Sequence, residues 1–219
     1  FFTGIPGAGK SYVTKKISDG AIDARVVNID KHLEFLGKHR GVDISKPGNA
    51  RTILDTSRQN TISQLTNYVN GMLPLFVDGT SANKESMMKR IQILKSIGYD
   101  VSMVWIDTDL ETALERAAQR ERHVDEDFIR QVHEISAANK AYFESKMGGN
   151  FTTVKNNHGE LNNEAILDAF KRTSKFFNAP VKNEVGVDTL SELKKKSEKY
   201  LVPSRYSKQE LNGMVSRWF

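Results

Sequence analysis

The chain has 219 residues, enough for one domain with an appendage. Hydrophobic residues make up 38% and charged residues 27%, a balance too apolar for a disordered chain. No stretch approaches the roughly 18 uncharged apolar residues of a membrane span, and the absence of cysteine excludes disulfide scaffolds, thiolate zinc sites and cysteine nucleophiles.

The net charge of +5 is unevenly spread. Residues 171–219 hold 11 Lys/Arg against 5 Asp/Glu, whereas residues 1–170 hold 21 against 22. The basic excess therefore lies in the tail. A solvated surface is the plainer reading of that excess, and a nucleic-acid contact the sharper one. The five histidines, at 32, 39, 123, 133 and 158, show no zinc-site spacing. No secretory layout opens the chain, and a start at Phe1-Phe2-Thr3 without methionine leads us to expect residues before it. With no cysteine, a reducing cytoplasm is the expected compartment (a host cytoplasm if the chain is phage-encoded).

Strand-like runs fall at Phe1-Phe2-Thr3, at 25–29, at 73–77, at 101–106 and, more weakly, at 151–154. Helical patterns lie between them near 10–18, 50–70, 84–97, 109–121, 126–146 and 161–177. This alternation predicts an α/β fold: a parallel sheet of about five strands with helices on both faces. Residues 31–49, broken by Gly37, Gly41, Pro47 and Gly48, read as the least regular part of the body. Pro180 separates a body over 1–179 from a basic helical extension over 180–219. Within the extension, Ser207 and Glu210 have capping-box spacing, and Leu211, Met214, Val215 and Trp218 follow on one apolar face. A helix that short does not persist alone in water, so the segment 203–219 is expected to dock onto its own body or onto a protein partner.

The sharpest signal is Gly4-Ile5-Pro6-Gly7-Ala8-Gly9-Lys10-Ser11, which matches G-x-x-x-x-G-K-[ST] between a strand and a helix. Glycines let backbone N–H groups turn inward around an anion, and the following helix offers its positive end. In such a loop Gly4, Gly7, Ala8 and Gly9 form the cradle of a P-loop NTPase. Lys10 reaches the β/γ-phosphates of ATP, and the Ser11 hydroxyl binds Mg²⁺. Guanine reading of the N-K-x-D type is disfavoured, because Asn83-Lys84 and Asn139-Lys140 are followed by Ser86 and Tyr142. A motor ATPase would bring a longer core and an apolar strand ending in two acids.

Asp30 reads as the close of the second strand, where an aspartate can accept the proton of an attacking hydroxyl. The alternative is an N-cap for a helix over 31–36. Asp78 closes the third strand before Gly79 and suits magnesium or a turn. Arg116 and Arg120 lie one helical turn apart, either bracketing phosphate oxygens or solvated beside Glu115 and Glu121.

Together these residues resemble the phage polynucleotide kinase and zeta-toxin group of P-loop kinases over residues 1–177. Gly4–Ser11 is similar to their phosphate loop, and Asn28-Ile29-Asp30 to the position of their base. Asp78-Gly79-Thr80 resembles the acid, Gly and Thr after their third strand, and Arg116-x-x-x-Arg120 resembles their lid arginines. The resemblance implies ATP and Mg²⁺ on Lys10 and Ser11, Asp30 as base, and Arg120 on the nucleotide phosphates. One departure stands out: Leu33 occupies the place of the arginine that such polynucleotide kinases use on the substrate's phosphate. The implied activity is transfer of the γ-phosphate of ATP·Mg²⁺ to a hydroxyl of a nucleic-acid end or a nucleotide-type small molecule. A nucleotide-sugar kinase is the alternative within the group. A nucleotide-binding scaffold, docked into an assembly through the C-terminal helix, is the alternative from another class.

Overall fold

The apolar runs build one sheet. Its strands are β1 (Phe2–Thr3), β2 (Arg25–Val27), β3 (Leu75–Gly79), β4 (Met103–Asp107) and β5 (Phe151–Lys155). The computed structural model describes residues 1–18, 24–46, 48–80, 82–119, 124–157 and 163–200, the last four of these by backbone only. The strand order is β2-β3-β1-β4-β5 and every pairing is parallel. The helices are α1 (Lys10–Ser18), α2 (Ile29–Arg40), α3 (Arg51–Asn70), α4 (Lys84–Ser96), α5 (Leu110–Ala118), α6 (Glu126–Met147), α7 (Asn163–Phe177) and α8 (Glu184–Tyr200). This is the expected α/β architecture of a P-loop NTPase with a helical C-terminal part.

In β4, Met103, Val104, Trp105 and Ile106 are all buried, which requires cover on both faces of the sheet. Trp105 lies 6.1 Å from Phe143 of α6, centroid to centroid. Phe76 of β3 meets Phe2 and Phe177 edge-on at 4.9 and 5.3 Å. Burying such rings is worth about 1.5–3 kcal/mol each, so these contacts weigh heavily in holding α6 and α7 to the sheet.

Two expectations are corrected. First, residues 29–40 are not irregular: α2 occupies them, and its buried Leu33 and Leu36 pack with Ile53 of α3. The helix stops at Gly41, whose φ of 64° only glycine adopts freely and whose N–H donates to the Gly37 carbonyl. Second, β2 ends at Val27, so Asp30 does not close a strand. It sits in the first turn of α2, and it is not the N-cap either. Asn28 caps that helix from an extended backbone, its Oδ1 accepting the Asp30 N–H at 2.8 Å. The helical extension expected after Pro180 is present as α8, which runs from Glu184 to Tyr200. The anticipated terminal helix with Leu211, Met214, Val215 and Trp218 lies outside the described residues, as does Arg120.

The chain divides into two compact units, residues 1–91 with 101–179, and residues 92–100 with 180–219. The first contains the sheet and the phosphate loop. In the second, the Asn183 side-chain amide donates to the Lys95 carbonyl at 2.7 Å, and its Oδ1 accepts the Gly186 N–H at 3.3 Å in the first turn of α8. The Lys182 N–H donates to Asp100 Oδ2 at 2.7 Å. Among the described residues, no helix is long and apolar enough to cross a membrane.

Candidate functional site

Strand β1 delivers the chain into the loop Gly4–Gly9, and α1 begins at Lys10, so the first-turn amides of α1 face the loop. Gly7 and Gly9 have φ of 85° and 81°, the left-handed conformation that turns successive N–H groups toward one point. A Cβ on Gly7 would run into the Ala113 carbonyl, and one on Gly9 into the Asn156 side-chain amide. Both positions thus need glycine for space as well as for conformation. The Lys10 ammonium donates to the Gly4 and Ile5 carbonyls at 2.8 and 3.1 Å, which holds its charge across the mouth of the loop. Loop, lysine and helix end together form a cradle fit for polyphosphate.

The back of the cradle is held by residues that the motif does not contain. Ala8 is fully buried, and its carbonyl accepts from Asn156 Nδ2 at 2.7 Å, with Thr108 Oγ1 at 3.3 Å. The Asn156 carbonyl in turn accepts from Arg116 Nη1 at 2.8 Å. The N–H of Asn156 donates to the Asp107 carbonyl at 2.9 Å, continuing the β4–β5 pairing past Lys155. Arg116 projects from α5, and its Nη1 lies 3.7 Å from where a Cβ of Gly9 would stand. The sequence-expected arginine is therefore beside the glycine loop. Neither Asn156 nor Thr108 was singled out in the sequence, since each sits on a different strand end and carries no local pattern.

On the other side, β3 runs next to β1 and sets Asp78 in register with Phe2. Asn28 Nδ2 donates to Asp78 Oδ2 at 2.7 Å, while the same side chain caps α2 through its oxygen. One amide thus ties the acid of β3 to the helix that carries Asp30. A cavity of about 270 Å³ lies here, with Ser11, Asn28, Lys31 and Asp78 in its polar lining. Asp30 does not line this cavity, although its neighbour Lys31 does. Among the described residues, no cluster of three or more histidine or acidic side chains could hold a metal by itself. A divalent cation between Ser11 and Asp78 would complete its shell with phosphate oxygens and water, the usual habit of magnesium.

The family described as AAA domain matches residues 1–144. No curated protein matches the sequence. Among solved structures, a protein described as a candidate kinase from Chloroflexus aurantiacus is similar, with a TM-score of 0.58 and 15% identity. The similarity covers 80% of this chain and 95% of that one. At that identity the likeness speaks for the fold alone. The chain belongs to the AAA domain family, and its site is a P-loop nucleotide-binding site.

Proposed function

We propose that the chain is an ATP·Mg²⁺-dependent phosphotransferase of the polynucleotide-kinase and zeta-toxin kind, acting on a hydroxyl of a nucleic-acid end or a nucleotide-type small molecule. The observation that carries this reading is the adjacency of β1 and β3, which brings the Ser11 hydroxyl and the Asp78 carboxylate to one cavity beside the phosphate cradle. That juxtaposition supports Ser11 and Asp78 as the protein's share of a magnesium site, a cation that would neutralise charge on the transferring phosphate.

In this reading Gly4, Gly7, Ala8, Gly9 and Lys10 hold the triphosphate. Arg116 draws charge off it from the α5 side, a role that Arg120 would share. The acceptor hydroxyl oxygen bonds to the γ-phosphorus as the bond to the β,γ-bridging oxygen breaks. ADP leaves with that electron pair, and the hydroxyl proton passes to the Asp30 carboxylate. Support for Asp30 is positional: it stands in the first turn of α2, whose cap Asn28 also binds Asp78. Catalysis of this type is chiefly electrostatic positioning, which suits a site built from backbone amides and fixed cations.

The test is direct. The protein is incubated with γ-labelled ATP and Mg²⁺ against DNA ends, RNA ends, nucleosides, nucleotides and nucleotide sugars. Label moving to one hydroxyl class supports the reading and names the acceptor. Release of phosphate to water alone, with every acceptor inert, overturns it.

A further inference from the structure

Helix α8 carries an apolar stripe that runs past its support. A Cβ on Gly186 would run into the Gly98 carbonyl, so the first turn of α8 lies directly against the chain that follows α4. The Asn183 amide ties down the same contact through the Lys95 carbonyl. Leu190 and Leu193 follow Gly186 at i+4 and i+7, on the same side of the helix. Yet they are 47% and 43% exposed, so the contact that covers Gly186 does not extend to them. A helix of this length draws most of its stability from packing an apolar face, and here that face is bare.

The chain beyond α8 supplies a matching surface. Residues 201–219 lie outside the described part, and in their sequence Leu211, Met214, Val215 and Trp218 recur at i, i+3, i+4 and i+7 after the Ser207–Glu210 capping box. The stretch 201–207, with Pro203 in it, has the length of a connection between antiparallel helices, about 2–8 residues. A tether that short holds the chain end at α8 at an effective concentration of about millimolar, which a free partner seldom reaches. An antiparallel return about this connection sets Met214 opposite Leu193 and Trp218 beside Leu190. It also brings Glu210, the one acid of residues 201–219, next to Lys194 and Lys196, which border the stripe. A second copy of α8 would offer only the same two leucines, well short of the roughly 1,200 Å² that a stable interface buries.

We infer that residues 207–219 fold back antiparallel on α8 and cover its Leu190–Leu193 stripe, making the extension a helical hairpin. The inference is independent of the phosphotransferase reading. It makes the end of the chain an internal strap rather than a hook into an assembly.

The experiment uses the full chain. Trp105 is buried in β4, so iodide quenching of tryptophan fluorescence reads Trp218, the other tryptophan. In the wild type Trp218 should resist iodide at micromolar protein, with a monomeric mass by light scattering. Leu190→Asp/Leu193→Asp should raise the quenching several-fold while the main melting transition holds. The chain has no cysteine, so an introduced pair reports a single contact. Leu193→Cys/Met214→Cys should close an intrachain disulfide on mild oxidation. Val185→Cys/Met214→Cys, about 12 Å out of register at about 1.5 Å per residue, should not. Free quenching of Trp218 in the wild type overturns the hairpin. Shielding that survives the aspartates puts the chain end elsewhere and overturns it too. Shielding or a disulfide found only at doubled mass gives the stripe to a second copy, which also refutes the inference. If the aspartates merely melt α8, the cysteine pair still decides, because it leaves Leu190 and the rest of the stripe in place.

Discussion

The side-chain amide of Asn156 donates to the carbonyl of Ala8 at 2.7 Å, joining residues 148 positions apart in sequence. That bond fixes the middle of the phosphate loop to the end of β5. The backbone carbonyl of the same residue holds Arg116, so one asparagine sets both the loop and the arginine beside it. Asn156 is 4% exposed and Ala8 is fully buried, so water cannot replace a lost partner there. Asn156→Ala should lower stability by about 1–3 kcal/mol, the cost of an orphaned buried carbonyl. It should also weaken nucleotide binding, because the loop loses its rear anchor. Denaturant unfolding and calorimetric titration with ATP·Mg²⁺ read the two effects. Unchanged values in both would mean that Thr108 alone suffices to hold Ala8.

Gly7 and Gly41 separate two kinds of glycine requirement. Both have positive φ, but a Cβ at Gly41 meets nothing within 4 Å, whereas one at Gly7 strikes the Ala113 backbone. Gly41→Ala should cost only the conformational penalty, about 1–2 kcal/mol. Gly7→Ala adds a clash with helix α5 and should cost clearly more, with the cradle opened and nucleotide affinity lost. Equal melting temperatures for the two variants would show that α5 yields freely.

Lys10 and Asp30 should fail in different ways. Lys10→Ala removes a cation from the loop mouth and should weaken ATP·Mg²⁺ binding by about 10–100-fold, the scale of a charge-assisted hydrogen bond. Asp30→Asn keeps the first turn of α2 capped by Asn28, so binding should persist. Phosphoryl transfer should fall by about 10²–10⁴-fold, the usual scale for losing a general base. Single-turnover rates beside equilibrium binding separate the two. An Asp30→Asn variant with full turnover would leave that aspartate as a helix-terminus charge and move the base elsewhere.

The sheet was legible because its strands are short apolar runs, and the cradle because the loop chemistry is compressed into eight consecutive residues. The stretch from 31 to 40 was misread as irregular because Gly37 looked like a breaker, whereas the described residues from 41 to 49 form neither helix nor strand. Gly37 lies inside α2, where a Cβ would stand 2.8 Å from Ile44 Cγ2, so that glycine marks close packing rather than a turn. Asp30 was displaced from strand end to helix for a related reason: Asn28 takes the cap, and Ile29 belongs to the α2–α3 cluster rather than to the strand. Asn156 and Thr108 were invisible because their meaning is entirely tertiary. Nothing in the residues around Asn156 says that the Ala8 carbonyl will arrive opposite it.

Arg116 gives the most discriminating prediction for the chemistry. Its Nη1 is committed to the Asn156 carbonyl, and that bond aims a planar guanidinium beside Gly9 from a helix packed against the loop. A guanidinium has five N–H donors in a fixed fork, so one can be spent on positioning while others meet phosphate oxygens. Lysine has one ammonium on a flexible stem and cannot reproduce that fork. Arg116→Ala should therefore lower the transfer rate on the order of 10²–10³-fold, the scale of losing one preorganised donor to the transition state. Arg116→Lys should recover little of it. Stability should change little in either case, since the side chain is only part-buried. Steady-state kinetics can tell a transition-state role from a binding role. A fall in kcat with KM for ATP nearly unchanged fits a group that acts on charge developing in transfer. A rise in KM at constant kcat would make Arg116 a ground-state phosphate contact instead.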